Sequence, residues 1–145
     1  MSLFGSNRRD TREVFFQTWK KLNSGESLDG IETVVAQVVK AHPEYHAVLS
    51  NPESTEDKDY LPEDGGPNPF LHMGMHVAIE EQLSIDQPRG IREQFNKLLL
   101  RGADPHESQH TIMECLGEML WQSQRQQLPP DEQIYLQCLK KFTEN

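Results

Sequence analysis

Six histidines are the residues of this sequence whose type and spacing could do chemistry. Each stands four residues from another, in the pairs His42/His46, His72/His76 and His106/His110. Residues four apart on an α-helix project from one face. Imidazole is costly to bury unless both of its nitrogens find partners, and its neutral form is a common metal ligand. The repeated spacing therefore indicates a metal site.

Two of the three pairs are extended by a glutamate a further four residues along. The resulting triplets are His72, His76 and Glu80, and His106, His110 and Glu114. Histidine with carboxylate, without cysteine, favours an iron, manganese or zinc ion. Two facing helices with such triplets would supply six donors for one or two ions, and His42 and His46 could add two more.

The ligand types do not determine which reaction, if any, such a site performs. Paired sites of histidine and carboxylate suit oxygen or peroxide chemistry, or metal-assisted hydrolysis. A metal or redox sensor and a purely structural ion use the same residues. The sequence therefore leaves open whether the protein is a non-haem metalloenzyme.

Both triplets are placed on predicted helices. Asn68 and Asp104 are typical N-cap residues, and each precedes a proline suited to the first helical position. We predict helices from Pro69 to about Ser84 and from Asp104 to about Gln126. On a helical wheel, Ile79 falls beside His72, while Leu120 and Trp121 fall in the sector of His106.

The histidine faces therefore coincide with apolar stripes, where a helical bundle places its metal ligands. We expect the ring nitrogens of the two later pairs to converge on one centre. The residues concerned are His72, His76, His106 and His110.

The remaining segments also carry helical rather than strand signals. Further helices are predicted from a capping box at Asp10 to about Asn23, from Ser27 to Ala41, from Pro88 to Arg101 and from Pro130 to Phe142. His42 precedes a proline and should cap a short turn. We expect an all-α, single-domain bundle of about six to seven helices over residues 1–145, with residues 1–9 flexible and a long acidic loop over 51–67.

Composition limits the partners. The 145 residues carry a net charge of −9, which argues against nucleic acid or an anionic membrane and is compatible with binding cations. Cys115 and Cys138 form neither a CxxC motif nor a disulfide framework. No apolar run of signal-peptide or membrane-spanning length occurs, so we expect an acidic cytoplasmic protein whose partner is a metal ion.

The competing hypothesis makes the histidines structural. Each could bond to a backbone carbonyl, or to Glu80 or Glu114, and the histidine pairs could stack or sense protons. The protein would then be a non-catalytic adaptor whose acidic surface binds a basic protein. Metal content and internal hydrogen bonding would separate the two hypotheses.

Three stretches closely resemble an uncharacterised bacterial family, domain of unknown function 1841. They are "HPEYH", "NPFLHMGMHVAIEEQLSIDQPRGI" and "HESQHTIMECLGEMLWQSQR", and the similarity extends from about Arg12 to Leu139. The resemblance implies a small bacterial domain. It brings no activity, substrate or cofactor.

Overall fold

A computed structural model describes residues 8–60 and 68–144 of the chain. These residues form eight α-helices and one short 3₁₀ turn, at Pro43–Tyr45. The helices are α1 Arg8–Ser24, α2 Ile31–Lys40, α3 His46–Leu49, α4 Pro52–Thr55, α5 Pro69–Ile85, α6 Ile91–Leu100, α7 Pro105–Gln126 and α8 Glu132–Thr143. The all-α class is confirmed, and the number of helices is close to the expected six or seven.

The chain divides into two compact units, Met1–Ala78 and Ile79–Asn145, and the division falls within α5. In the first unit, α1 packs against α2 and α3. The core consists of buried aromatic and aliphatic side chains: Phe15, Phe16, Val35, Val38, Val39, Leu49, Phe70, Met73 and Val77. Burial of each such side chain contributes about 1.5–3 kcal/mol, so this cluster is the main stabilising feature of the unit.

A buried arginine joins α1 to the segment around α4. Arg12 is 2% exposed, and its guanidinium donates to the backbone carbonyls of Thr55, Glu56 and Lys58 at 2.9, 3.2 and 2.8 Å. The same guanidinium lies over the ring of Phe70, 4.6 Å from its centroid. Arginine can satisfy several acceptors at once because its donors are fixed in one plane.

In the second unit, α6, α7 and α8 pack against one another. Their buried residues include Ile91, Ile112, Leu116, Tyr135 and Leu139. The Tyr135 hydroxyl donates to Gln82 Oε1 on α5 at 2.8 Å, which satisfies the one polar group of this core tyrosine.

One disulfide links α7 to α8. Cys115 and Cys138 are bonded, with their Cα atoms 5.5 Å apart. Two cysteines make no framework of the kind that staples small domains, yet helix packing brings these two within bonding range. The cytoplasmic location stays a prediction, and this bond weighs against it because disulfides are rare in reducing compartments.

The predicted helix starts agree best with the structure at Asn68 and Asp104, where a side chain caps the helix. The Asn68 side chain accepts from the backbone N–H groups of Phe70 and Leu71, and Asp104 accepts from that of Glu107. By contrast, α1 starts at Arg8, before the expected cap at Asp10. The ends of other helices also differ by a few residues, as expected where caps are weak.

The acidic loop expected over 51–67 is interrupted at its start, because Pro52–Thr55 forms the helical turn α4. Residues 61–67 of that loop, and residues 1–7 of the expected flexible start, lie outside the described residues. Within residues 8–60 and 68–144, no helix combines the length and apolar character that crossing a bilayer requires.

Candidate metal centre

His42 lies between α2 and the 3₁₀ turn, and its side chain is oriented by the backbone of α2. Its φ of −126° is not helical, as the following proline predicted. The ring is 1% exposed, and Nδ1 lies 2.7 Å from the carbonyl oxygen of Val38. A carbonyl can only accept a hydrogen bond, so Nδ1 carries the proton. In the neutral ring, Nε2 then holds the lone pair that a metal ion would need.

The first pair on α5 has the geometry that its spacing predicted. His72 and His76 are one helical turn apart, and their ring centroids are separated by 4.9 Å. His76 is 2% exposed, while His72 is half-buried. A ring nitrogen of each lies within 4.8 Å of the other. The two rings could therefore contact a common ion with small side-chain adjustments.

The structure brings His42 to this pair. Its ring centroid lies 4.7 Å from that of His76 and 5.2 Å from that of His72. Ring nitrogens of His42 and His76 also lie within 4.8 Å of each other. His76 therefore has a histidine neighbour on two sides, and the three residues form what we call the imidazole cluster: His42, His72 and His76.

Tyr45 forms one aromatic wall of the imidazole cluster. Its ring stacks on His42 with a centroid distance of 5.7 Å and an interplanar angle of 8°, and lies 6.0 Å from His72. Burial raises the pKa of the Tyr45 phenol, and the nearby carboxylate of Glu44 raises it further. The phenol therefore stays neutral at physiological pH and packs as an aromatic ring.

His46, the second histidine of the HPEYH motif, has a different environment. Its Nε2 lies 2.9 Å from the carbonyl oxygen of Val39, and its ring packs on Trp19 at a centroid distance of 4.3 Å. Trp19 in turn donates from its indole nitrogen to Ser50 Oγ at 3.0 Å. The two histidines of the motif therefore have different environments: His42 joins the imidazole cluster, and His46 packs against α1.

The third pair lies on α7, in the second unit. His106 and His110 are both half-buried, with ring centroids 4.4 Å apart. Nδ1 of His110 lies 3.7 Å from a carboxylate oxygen of Glu107, whose side chain is 65% exposed. This contact is weak because solvent screens it. The pair has the predicted one-turn geometry, and its convergence with His72 and His76 stays a prediction.

The two glutamates of the predicted triplets have other surroundings. Glu80 accepts a hydrogen bond of 2.5 Å from the side-chain amide of Gln109. Glu114 is exposed, in a groove with Glu118 and Lys141 beside α8. Among the described residues, the groups of donor atoms close enough to share an ion consist of histidines alone. The structure thus gives neither glutamate a place in such a group.

The imidazole cluster collects ring nitrogens from two segments of the chain. Neutral rings present lone pairs, and a divalent transition ion is the species that binds several of them at once. Ring nitrogens of His76 lie within 4.8 Å of those of His42 and of His72, which makes this cluster the candidate metal site of the first unit, whereas no group of close donor atoms in the described residues includes His46.

Comparison with protein families matches residues 7–141 to the family described as Domain of unknown function (DUF1841). No curated protein and no solved structure matches the chain. The resemblance seen in the sequence motifs is thereby confirmed.

Proposed function

Starting from the fact that the chain belongs to the DUF1841 family, whose description names no activity, we propose that the protein binds metal. It holds one or two iron, manganese or zinc ions through histidine nitrogens. The proposal assigns His42, His72 and His76 as ligands from the first unit. His46 is left out, because no group of close donor atoms in the described residues includes it.

One observation carries this proposal: His42, from a separate segment of the chain, packs against the histidine pair of α5. A pair at i, i+4 follows from helix geometry alone and is common. A third imidazole delivered to the same place requires a specific fold, and its Nδ1 is held by the carbonyl of Val38. A backbone acceptor on the second ring nitrogen is how metal-binding histidines are usually oriented.

The sequence pattern supplies the rest of the ligand set. His106 and His110 have the same one-turn pairing as His72 and His76, and both helices open with a cap and a proline. We assign these two histidines as the ligands of the second unit. A centre of this composition suits a non-haem metalloenzyme or a metal sensor, and the acidic chain makes nucleic acid an unsuitable partner.

Metal analysis tests the proposal directly. Protein purified without a histidine tag and without chelator should contain at least about one transition ion per chain. His76→Ala should reduce metal affinity by roughly 100-fold or more, because the shared member of the cluster is lost. His46→Ala is the matched control, and its affinity should stay close to that of the unchanged protein. Metal-free protein that gains no ion in a zinc titration would refute the proposal.

The adaptor hypothesis has one supporting observation. His46 is a histidine with a structural role, bonded to a carbonyl and packed on Trp19. If the imidazole cluster were structural in the same way, replacement of His76 by glutamine would change stability without any change in metal content. The metal analysis above therefore also decides between the two functions.

A further inference from the structure

One face of α7 is exposed along the C-terminal half of the helix. We propose that this face is the contact surface between two copies of the chain, whose α7 helices pair antiparallel about a two-fold axis. The occupant of the face is therefore a second copy. The inference concerns assembly and is independent of the proposed metal function.

The exposed face has the composition of a protein interface. Trp121 and Leu120 are 51% and 39% exposed, although both are large apolar side chains. The guanidinium of Arg125 lies over the Trp121 ring, 5.1 Å from its centroid, and this contact orders both side chains. Tryptophan and arginine are enriched among the residues that dominate binding energy at interfaces. These residues and three neighbours form what we call the α7 surface: Glu114, Gly117, Glu118, Leu120, Trp121 and Arg125.

Gly117 lies near the middle of α7, where a glycine costs about 1 kcal/mol relative to alanine. A Cβ atom added at this position would meet nothing within 4 Å, so packing of the described residues does not require glycine there. Gly117 shares a face with Leu120 and Trp121, which follow it at helical spacing. The missing side chain allows another helix backbone to approach this face closely.

The charges of the α7 surface complement themselves when the helix is paired with an antiparallel copy. Residues equally far from the two-fold axis, on either side of it, then lie opposite each other. Glu114 and Arg125 are equally far from the midpoint between Met119 and Leu120. An axis at that midpoint places Glu114 of each copy opposite Arg125 of the other. This self-complementarity is what a two-fold interface between identical chains requires.

The glutamates also line a groove between α7 and α8, with a volume of about 330 Å³. Its charged lining residues are Glu114, Glu118 and Lys141, two carboxylates against one ammonium group. Arg125 of the second copy would balance the remaining carboxylate. With the same axis, Trp121 of the second copy falls opposite Glu118, so its ring would cover the mouth of this groove. Charge and shape therefore both favour a second copy as the occupant.

The small extent of the α7 surface indicates a weak dimer. The segment from Glu114 to Arg125 spans about three turns, or about 17 Å. A contact of this length falls below the standard interface of about 1,600 Å². Each chain also carries a net charge of −9, which opposes association and is largely screened at about 0.15 M salt. We expect a dissociation constant of about 1–100 μM.

Sedimentation of the untagged full chain tests the proposal. The protein is measured at concentrations from about 1 to about 500 μM, a range that brackets the expected dissociation constant. Chelator is present throughout, so that a metal ion cannot cross-link histidines of two copies. The average mass should rise from that of one chain toward that of two, without larger species.

Reversal of charge tests the antiparallel register. Glu114→Arg and Arg125→Glu each place like charges opposite each other at two symmetric contacts, so each should raise the dissociation constant at least about tenfold. The double variant Glu114→Arg/Arg125→Glu should return to within about threefold of the unchanged protein. An equimolar mixture of the two single variants should also associate, because opposite charges then meet at both contacts.

Three further variants test the apolar part of the surface. Trp121→Ala should raise the dissociation constant at least about 30-fold, as expected for a central aromatic residue. Gly117→Leu should also weaken the dimer by blocking close approach, while a side chain at this position has room within the chain and should not lower the unfolding temperature. Glu93→Arg, at an exposed position of α6, is the control with the same change of charge, and it should leave association unchanged.

The mass of one chain at every concentration would refute the proposal and leave the α7 surface to a different protein partner. Dimers that persist undiminished in Glu114→Arg and Trp121→Ala would also refute it, because another surface would then pair the copies. If both single charge variants lose association and neither their mixture nor the double variant restores it, the antiparallel register is wrong.

Discussion

The ring of His42 lies 4.7 Å from the ring of His76, centroid to centroid, although the two residues are far apart in the chain. Val38 orients the first ring through its carbonyl, and α5 fixes the second. This contact converts two separate sequence motifs into one buried cluster. It is the relationship on which the proposed metal centre depends.

Removal of metal should destabilise the protein. An ion that binds only the folded state adds about 2.7 kcal/mol when its free concentration is about 100 times its dissociation constant. Thermal unfolding should therefore occur at lower temperature after treatment with chelator, and added zinc should restore the original value. His76→Ala should show a lower unfolding temperature that chelator no longer changes. Equal unfolding temperatures with and without chelator in the unchanged protein would favour structural histidines.

Replacement of the buried arginine should weaken the first unit. Arg12→Met keeps much of the aliphatic length but leaves the carbonyls of Thr55, Glu56 and Lys58 without this donor. We expect a loss of about 2–4 kcal/mol in the free energy of unfolding, measured in urea. Arg9→Ala is the control. The Arg9 side chain is exposed where it pairs with Glu56 and Asp57, so solvent screens these ion pairs and stability should hardly change. Similar losses in both variants would refute the role assigned to Arg12.

Reduction of the disulfide should lower stability while the helices persist. Cys115 and Cys138 are 23 residues apart, and opening a loop of this size costs about 3 kcal/mol. Urea unfolding with and without dithiothreitol measures the difference, and circular dichroism monitors helix content. In the double variant Cys115→Ser/Cys138→Ser, the reductant should have no effect. Loss of helix on reduction would show that α7 and α8 need the bond to form.

Tyr135 should make the protein sensitive to alkaline pH. Burial raises the pKa of its phenol above the ordinary value, so the folded protein holds the proton where the unfolded chain releases it. Stability from this group is therefore complete below about pH 10 and decreases as pH rises further. Tyr135→Phe should lose about 0.5–1.5 kcal/mol at neutral pH, with the bond to Gln82, yet decline less steeply above pH 10. Parallel pH profiles for the two proteins would contradict this assignment.

The features that the sequence predicted well are those set by near neighbours in the chain. The caps at Asn68 and Asp104 and the one-turn histidine pairs depend only on residues a few positions away. The hydrogen bond of His46 to Val39 and its ring packing on Trp19 depend on how separate helices pack. Spacing alone could not distinguish His46 from His42, the other histidine of the same motif.

The helical wheel of α7 shows the same limit. Leu120 and Trp121 share the sector of His106, yet they are 39% and 51% exposed, whereas Ile112 and Leu116 are buried. A helical wheel identifies residues that share one face of a helix. Which face is buried depends on where the neighbouring helices pack. The disulfide was missed for a related reason, because the distance between two cysteines on different helices is a property of the packing.

The two tryptophans give each compact unit its own fluorophore. Trp19, packed on His46 and bonded to Ser50, lies in the first unit, and Trp121 lies in the second, with Arg125 over its ring at 5.1 Å. With Trp121→Phe, the indole emission comes from Trp19 alone and follows the unfolding of the unit that holds the imidazole cluster. Trp19→Phe reports the other unit in the same way. The chain therefore carries an optical means of asking whether its two units unfold together or in succession.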